Sequence, residues 1–247
     1  MPASFNAYGY YTRNVGRVPP DHGLLEISAT QKAPLGHRIQ FDGRTFYYAR
    51  AGGTALAPGK LCKAGYVSDH INKAVAATAN VGTYNVTLTT NSASTTCTEG
   101  YLQINDAAGE GIQYKIKEAA ANATTATSTD LVLYDAIATQ LTTSSEATIL
   151  YHPLAYVTVC SAITDIIVGV PPVTVTAEYY FWLQTWGPAC VLSEGVPAAG
   201  TVVEVGVGSN EVAGTTTCDA DSALGVGVQM LVGVTTEYKP VMLRITP

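Results

Sequence analysis

The sequence predicts an all-β fold: antiparallel β-sandwich or barrel-like domains with an extended N-terminal arm and at most one or two short helices. Three observations carry this reading. Apolar and polar residues alternate in short runs, Gly and Pro punctuate those runs throughout, and no long stretch holds a helical period. At 247 residues, with 47% hydrophobic and 13% charged residues, the chain has enough apolar surface to order itself and enough length for two β domains. The expected layout is an arm over 1–36, a main β domain over 37–80 with 154–247, and a second β domain inserted over 81–153.

Residues 1–36 show no sustained period and are interrupted by Pro19, Pro20 and Pro34, hence the extended arm. Its cluster of Tyr8, Tyr10 and Tyr11 beside Arg13 and Arg17 sits in a segment too irregular to bury its own side chains, which points to burial against another subunit.

The clearest local signal is Asp42-Gly43, a two-residue loop suited to a type I′ turn. That turn pairs Phe41 with Arg44, Ile39 with Phe46 and His37 with Tyr48. Ile39, Phe41, Phe46 and Tyr48 then share one face, and Arg38, Gln40 and Thr45 the other. A short strand over Lys60 to Ala64 follows, and then one or two helical turns over Val67 to Thr78, where Ile71 and Val75 stand four apart.

In the inserted segment, Tyr84, Val86 and Leu88 alternate with Asn85, Thr87 and Thr89. Leu102 and Ile104, a loop over 106–111, and Ile112, Tyr114 and Ile116 predict a hairpin. The Ala/Thr/Asn stretch from Ala119 to Thr129 reads as a loop, Leu131 to Tyr134 as a buried strand, and Asp135 to Leu141 as a possible short helix.

The last hundred residues read as strand after strand, with turns at Pro171-Pro172, Gly187-Pro188, Gly195, Gly200, Gly214 and Gly233. Tyr180, Trp182, Gln184 and Trp186 fall on one face of a central strand, with Phe181, Leu183 and Thr185 on the other. Val202, Val205, Val212, Val226, Val228, Val241, Leu243 and Ile245 are assigned to the core. Pro240 belongs at a strand start or edge, where its missing N–H costs no ladder bond.

Charge is segregated along the chain. Nine of the thirteen Lys and Arg residues lie between Met1 and Lys73 with four acids, giving that segment +5 and the remaining residues −11. Such a chain lays a basic end on an acidic partner and shows an acidic body to solvent. Since the overall balance is acidic, with a pI near 5.1, no direct nucleic-acid binding is expected, although Arg38, Arg44 and Arg50 interleave with Tyr47 and Tyr48.

No motif reaches catalytic specificity, and no enzyme activity, metal or cofactor is expected. His22, His37, His70 and His152 are scattered without metal-ligand spacing, and no G-x-S-x-G occurs. Gly206-Val-Gly208 and Gly225-Val-Gly227 lack the third glycine and following helix of a phosphate cradle, so they read as marks of bulges or close strand packing. Asp219 and Asp221 near Asn210 and Glu211 read as a solvated acidic loop rather than a cation site.

Cys62, Cys97, Cys160, Cys190 and Cys218 are odd in number and lack a C-x-x-C pair, so they read as free, buried structural thiols in a reducing cytoplasm. Apolar runs are broken well before the roughly 18 residues of a membrane span, so no membrane association is expected. Met1 to Tyr11 has neither an apolar signal core nor a basic leader, so no export is expected.

In Arg38 to Leu61 (RIQFDGRTFYYARAGGTALAPGKL), Gly100 to Lys117, and Tyr179 to Val205 (YYFWLQTWGPACVLSEGVPAAGTVVEV), the chain resembles tailed-bacteriophage virion structural proteins of the head decoration or capsid cement type. The resemblance implies a protein on the capsid exterior of a virion, made in the host cytoplasm. It further implies a homo-oligomer, with a trimer favoured, that binds the major capsid protein and stabilises contacts between its subunits. The contact residues would come from the basic end: Tyr8, Tyr10, Tyr11, Arg13, Arg17, Lys32 and Arg38. The alternative is a phage tail or fibre component that binds carbohydrate or a host receptor, with Trp182 or Trp186 stacking on sugar faces.

Overall fold

Sixteen strands and no helix are named among the described residues of the computed structural model, which are 22–66, 70–90, 97–120, 128–162, 164–206, 215–217 and 225–246. The chain forms two compact units, one of Met1–Ala64 with Tyr156–Pro247 and one of Gly65–Ala155. Residues 65–80, expected in the main domain, thus fall in the second unit. The reason is visible in its core, where Val75 and Ala79 are buried.

The first unit holds β1 (Arg38–Phe41), β2 (Arg44–Arg50), β3 (Cys62–Ala64) and, after the insertion, β10 (Val157–Val159), β11 (Ile167–Gly169), β12 (Tyr180–Leu192), β13 (Val202–Gly206), β14 (Thr215–Thr217), β15 (Gly227–Gln229) and β16 (Tyr238–Arg244). Its larger sheet has the order β1-β2-β12-β16-β15-β13-β14 and its smaller one β10-β3-β11, with all ladders antiparallel. Leu61, Cys160 and Val170 from around the smaller sheet share one core with Val191, Val203, Val241 and Leu243 of the larger. Sheet-on-sheet burial of this kind replaces the helices that the sequence lacks.

The β1–β2 hairpin has the expected register, Phe41 opposite Arg44 and Ile39 opposite Phe46. Asp42 and Gly43 take φ values of 52° and 73°, as the type I′ turn requires. Thr45, on the face opposite Ile39, is buried, and β12 pairs along the other edge of β2.

The central strand β12 runs straight through Gly187-Pro188, where a turn was expected. Pro188 pairs with Met242 of β16, and on the opposite side β2 has already ended, its last partner pair being Trp186 with Thr45. The missing N–H therefore breaks no ladder. A bulge between Gln184 and Trp186 inserts one residue, since Gln184 faces Phe46 and Trp186 faces Thr45. Trp186 therefore changes face relative to Trp182 and Gln184, against the simple alternation.

Residues 22–36 are not a free arm. Ser28 exchanges backbone hydrogen bonds with Tyr180 at 2.8 and 3.0 Å. Ala33 and Leu24 pack with Ile39, Phe46, Tyr48 and Trp182. The rest of the expected arm, 1–21, lies outside the described residues.

The second unit holds β4 (Lys73–Ala74), β5 (Asn85–Leu88), β6 (Tyr101–Asp106), β7 (Gln113–Ala119), β8 (Thr129–Leu133) and β9 (Glu146–Leu150), in the order β4-β9-β6-β7-β8-β5. Its first and last strands meet. Ala76 donates to the Thr87 carbonyl at 2.8 Å and Thr89 to the Ala74 carbonyl at 2.9 Å, with Val75 bridging Leu88. The sheet thus curls into a small barrel, filled by Leu88, Leu102, Ile104, Ile116, Leu131 and Ile149 among others.

Two helical expectations fail here. The described part of 67–78 is extended through β4 with Ile71 exposed, and 135–141 is irregular, held by Gly82 and Ile137 backbone bonds.

Candidate functional site

Of the seven residues assigned to partner contact, Tyr8, Tyr10, Tyr11, Arg13 and Arg17 lie outside the described residues. Lys32 and Arg38 are exposed. Arg38 stands on β1, the edge strand of the seven-stranded sheet. In a two-residue hairpin with this register, Ile39 and Phe41 make the paired bonds to β2, so the backbone groups of Arg38 and Gln40 point outward. A charged side chain there discourages indiscriminate strand addition, and it offers an acidic partner an ion pair beside backbone that faces away from β2.

Lys32 lies on the segment that packs against the apolar face of this hairpin. Its backbone N–H donates to the Tyr48 hydroxyl at 3.0 Å. Tyr48 is fully buried, edge-on to Trp182 at 5.0 Å between ring centroids, and the Trp182 indole N–H donates to the His22 carbonyl at 3.3 Å. The two basic residues are thus carried on packed backbone.

The other basic residues near this hairpin are turned inward or paired. Arg44 lies over the rings of Phe41 and Phe46 at 5.9 and 5.5 Å. Arg50 pairs with Glu178 and lies 5.8 Å from the Tyr180 ring centre. The basic-aromatic interleaving that resembles a base-stacking platform is therefore used in intramolecular contacts.

Trp182 is fully buried, so it presents no face to a sugar, and Trp186 is half-buried. The acidic loop with Asn210, Glu211, Asp219 and Asp221 lies outside the described residues, as do Val212 and Cys218. Val202, assigned to the core, is exposed instead. Gly227 marks close packing: a Cβ there would fall 2.3 Å from the Met242 carbonyl oxygen. Cys62, Cys97 and Cys160 are buried, whereas Cys190 is exposed.

A depression of about 320 Å³ opens in the first unit between Pro58, Pro172, Pro188, Cys190, Arg44 and Tyr238. The polar group on its floor is committed to the fold, because Gln184 donates its amide to the Trp186 and Pro188 carbonyls at 3.2 and 2.8 Å.

In the second unit, Glu99 accepts from Tyr134 at 2.5 Å and from Lys115 at 3.1 Å, with His152 nearby. Burial works against the Glu99 carboxylate, but the Tyr134 hydroxyl and the Lys115 ammonium outweigh it and hold Glu99 below its usual range. These groups satisfy one another around the outside of the barrel.

Among the described residues no three His, Cys, Asp or Glu side chains are placed to hold a metal, and no helix is long and apolar enough to cross a membrane. The class that the fold defines is an all-β protein of antiparallel sheets. Comparison with protein-family models, with curated proteins and with solved structures gives no match.

Proposed function

We propose that this chain is a decoration, or cement, protein of a tailed-bacteriophage head, bound to the outer surface of the shell where it stabilises contacts between major capsid subunits. The observation that carries the reading is the placement of Lys32 and Arg38. Both are exposed, Arg38 on the edge strand β1 and Lys32 on the segment that packs over the β1–β2 hairpin, in a chain whose positive charge is concentrated in its first third. Cations carried on packed backbone meet an acidic shell surface with little ordering cost, and many copies on one lattice add modest contacts into strong avidity.

On this reading the protein works by burying area across subunit junctions, with no bond made or broken. Interfaces of about 1,000 Å² and more would suffice for specific attachment. The tail or fibre reading has less support, since Trp182 offers no stacking surface.

The test is mass spectrometry and cosedimentation of particles from a host lysate that contains the expressed chain. A fixed ratio to the major shell protein, weakened by salt and by K32E/R38E, is expected. Absence of the chain from intact heads, or attachment indifferent to both salt and K32E/R38E, would sink the proposal.

A further inference from the structure

Two loops of the first unit, 194–201 and 230–237, form a tip that is stiff and greasy at once. Gly233 donates to the Pro197 carbonyl at 2.7 Å, Thr235 to the Gly195 carbonyl at 3.1 Å, Gly200 to the Gln229 carbonyl at 2.8 Å, and Gln229 to the Thr201 carbonyl at 2.9 Å. Gln229 is fully buried and its amide donates to the Leu231 carbonyl at 2.7 Å, fixing the path of the second loop. A Cβ on Gly233 would lie 2.4 Å from Pro197 Cδ, so the loops touch with no room between them.

On this clamped backbone stand Val196, Val202, Met230, Leu231, Val232 and Val234, all exposed, with Val196 at 70% and Leu231 at 60%. Fifteen large apolar residues are exposed among the described residues, and these six stand on two adjoining loops and on Val202, the first residue of β13 after one of them. Apolar side chains scattered singly need no explanation, but a contiguous patch of a few hundred Å² on an ordered surface marks a contact site. Flexible loops would avoid water by folding inward; these are held out by their own hydrogen bonds.

Charge selects the partner. Val196 to Val203 and Gln229 to Thr236 contain no charged residue, in a chain of net charge −6. Two copies of an acidic chain repel over most of their surface and can approach where charge is absent. Around the tip the signs are mixed: Glu237 pairs with Lys239 at 2.7 Å, and Glu194 lies within electrostatic range of Lys60. With an acid beside each base, the rim presents little net charge to repel a second copy.

We propose that the tip formed by residues 196–202 and 230–234 is the surface through which copies of this chain associate. The inference does not depend on the capsid reading and applies to the protein free in solution.

The test is sedimentation velocity of the full chain over a wide concentration range, with L231E/V232E on one loop and V196E on the other. The wild type is expected to associate, and to do so as well or better in high salt, since the centre of the contact is apolar. Each variant should raise the midpoint of association by roughly 30-fold or more, the scale of one lost hot-spot side chain, with an unchanged circular dichroism spectrum. The three side chains are exposed, so folding survives their replacement; if one variant lost its spectrum, the other would decide. A wild type that stays monomeric at the highest concentration, or variants that associate as it does, would overturn the proposal. So would a monomer whose tip becomes protected only on purified heads or on lipid vesicles, which would give the tip to a foreign partner.

Discussion

The backbone N–H of Lys32 ends on the phenol oxygen of Tyr48, 3.0 Å away, so an exposed cation is tied to a fully buried tyrosine. Tyr48→Phe keeps the ring against Trp182 and removes the acceptor. The expected cost is about 1 kcal/mol, the usual net worth of one hydrogen bond. The loosened segment 22–36 should also be cut by trypsin after Lys32 several times faster than in the wild type. Unchanged proteolysis in the phenylalanine variant would mean that Ser28 and Ala33 hold the segment unaided.

Closure of the second unit rests on Ala76 and Thr89, which donate across the seam between β4 and β5. Their amides should exchange with solvent as slowly as those of Leu102 and Ile104 in the middle of β6. Exchange at loop rates would show that the seam is open. Ala76→Pro deletes one of the two backbone bonds across the seam and should lower the stability of this unit by about 1–3 kcal/mol.

What the sequence revealed and what it hid follow one physical division. The Asp42-Gly43 hairpin and the β6–β7 hairpin were legible because turn chemistry and alternation lie within a few residues of each other. The seam was hidden because β4 has two residues and no period to read. The helical expectation over 67–78 failed because positions four apart share a face in a strand as well as in a helix. Residues 22–36 looked unpartnered because their partners, Tyr180 and Trp182, stand some 150 positions away. The apolar tip was misassigned through Val202: a run of valines tells that a surface is greasy, not that it is covered.

Stability should trace a dome against pH. Burial, aided by Lys115 and opposed in part by Glu99, holds His152 below the usual histidine range. A base with a depressed folded value stabilises above its unfolded value of about 6.5 and loses that contribution as pH falls. Asp165 adds a second acid step. Burial opposes its charge, but the Ser161 and Ala162 N–H groups and Lys63 at 3.0 Å outweigh it and depress its value. Its contribution, like that of Glu99, is lost below about pH 4. On the alkaline side, burial raises Cys62 strongly and Cys160 to about 12, so both favour folding below about pH 8.5 and lose that contribution as pH rises through the folded values. Denaturant midpoints from pH 3 to 10 should show this shape. In Lys115→Met the histidine signal of His152 should titrate at higher pH than in the wild type; an unmoved titration would remove Lys115 as a cause.

Thiol chemistry separates the cysteines by burial. Cys190 lies exposed on β12 opposite Pro240, while Cys62, Cys97 and Cys160 are enclosed and the first and last are pushed further from the reactive thiolate. Brief treatment of the native protein with iodoacetamide, followed by peptide mapping, should therefore modify Cys190 and spare these three until denaturant is added. Cys190→Ser should cost no more than about 0.5 kcal/mol, as for a surface substitution. A native Cys190 that resists alkylation would mean that its stretch of β12 is covered in solution. Repeating the labelling with L231E/V232E would then show whether self-association does the covering, since dissociated chains would regain the reaction.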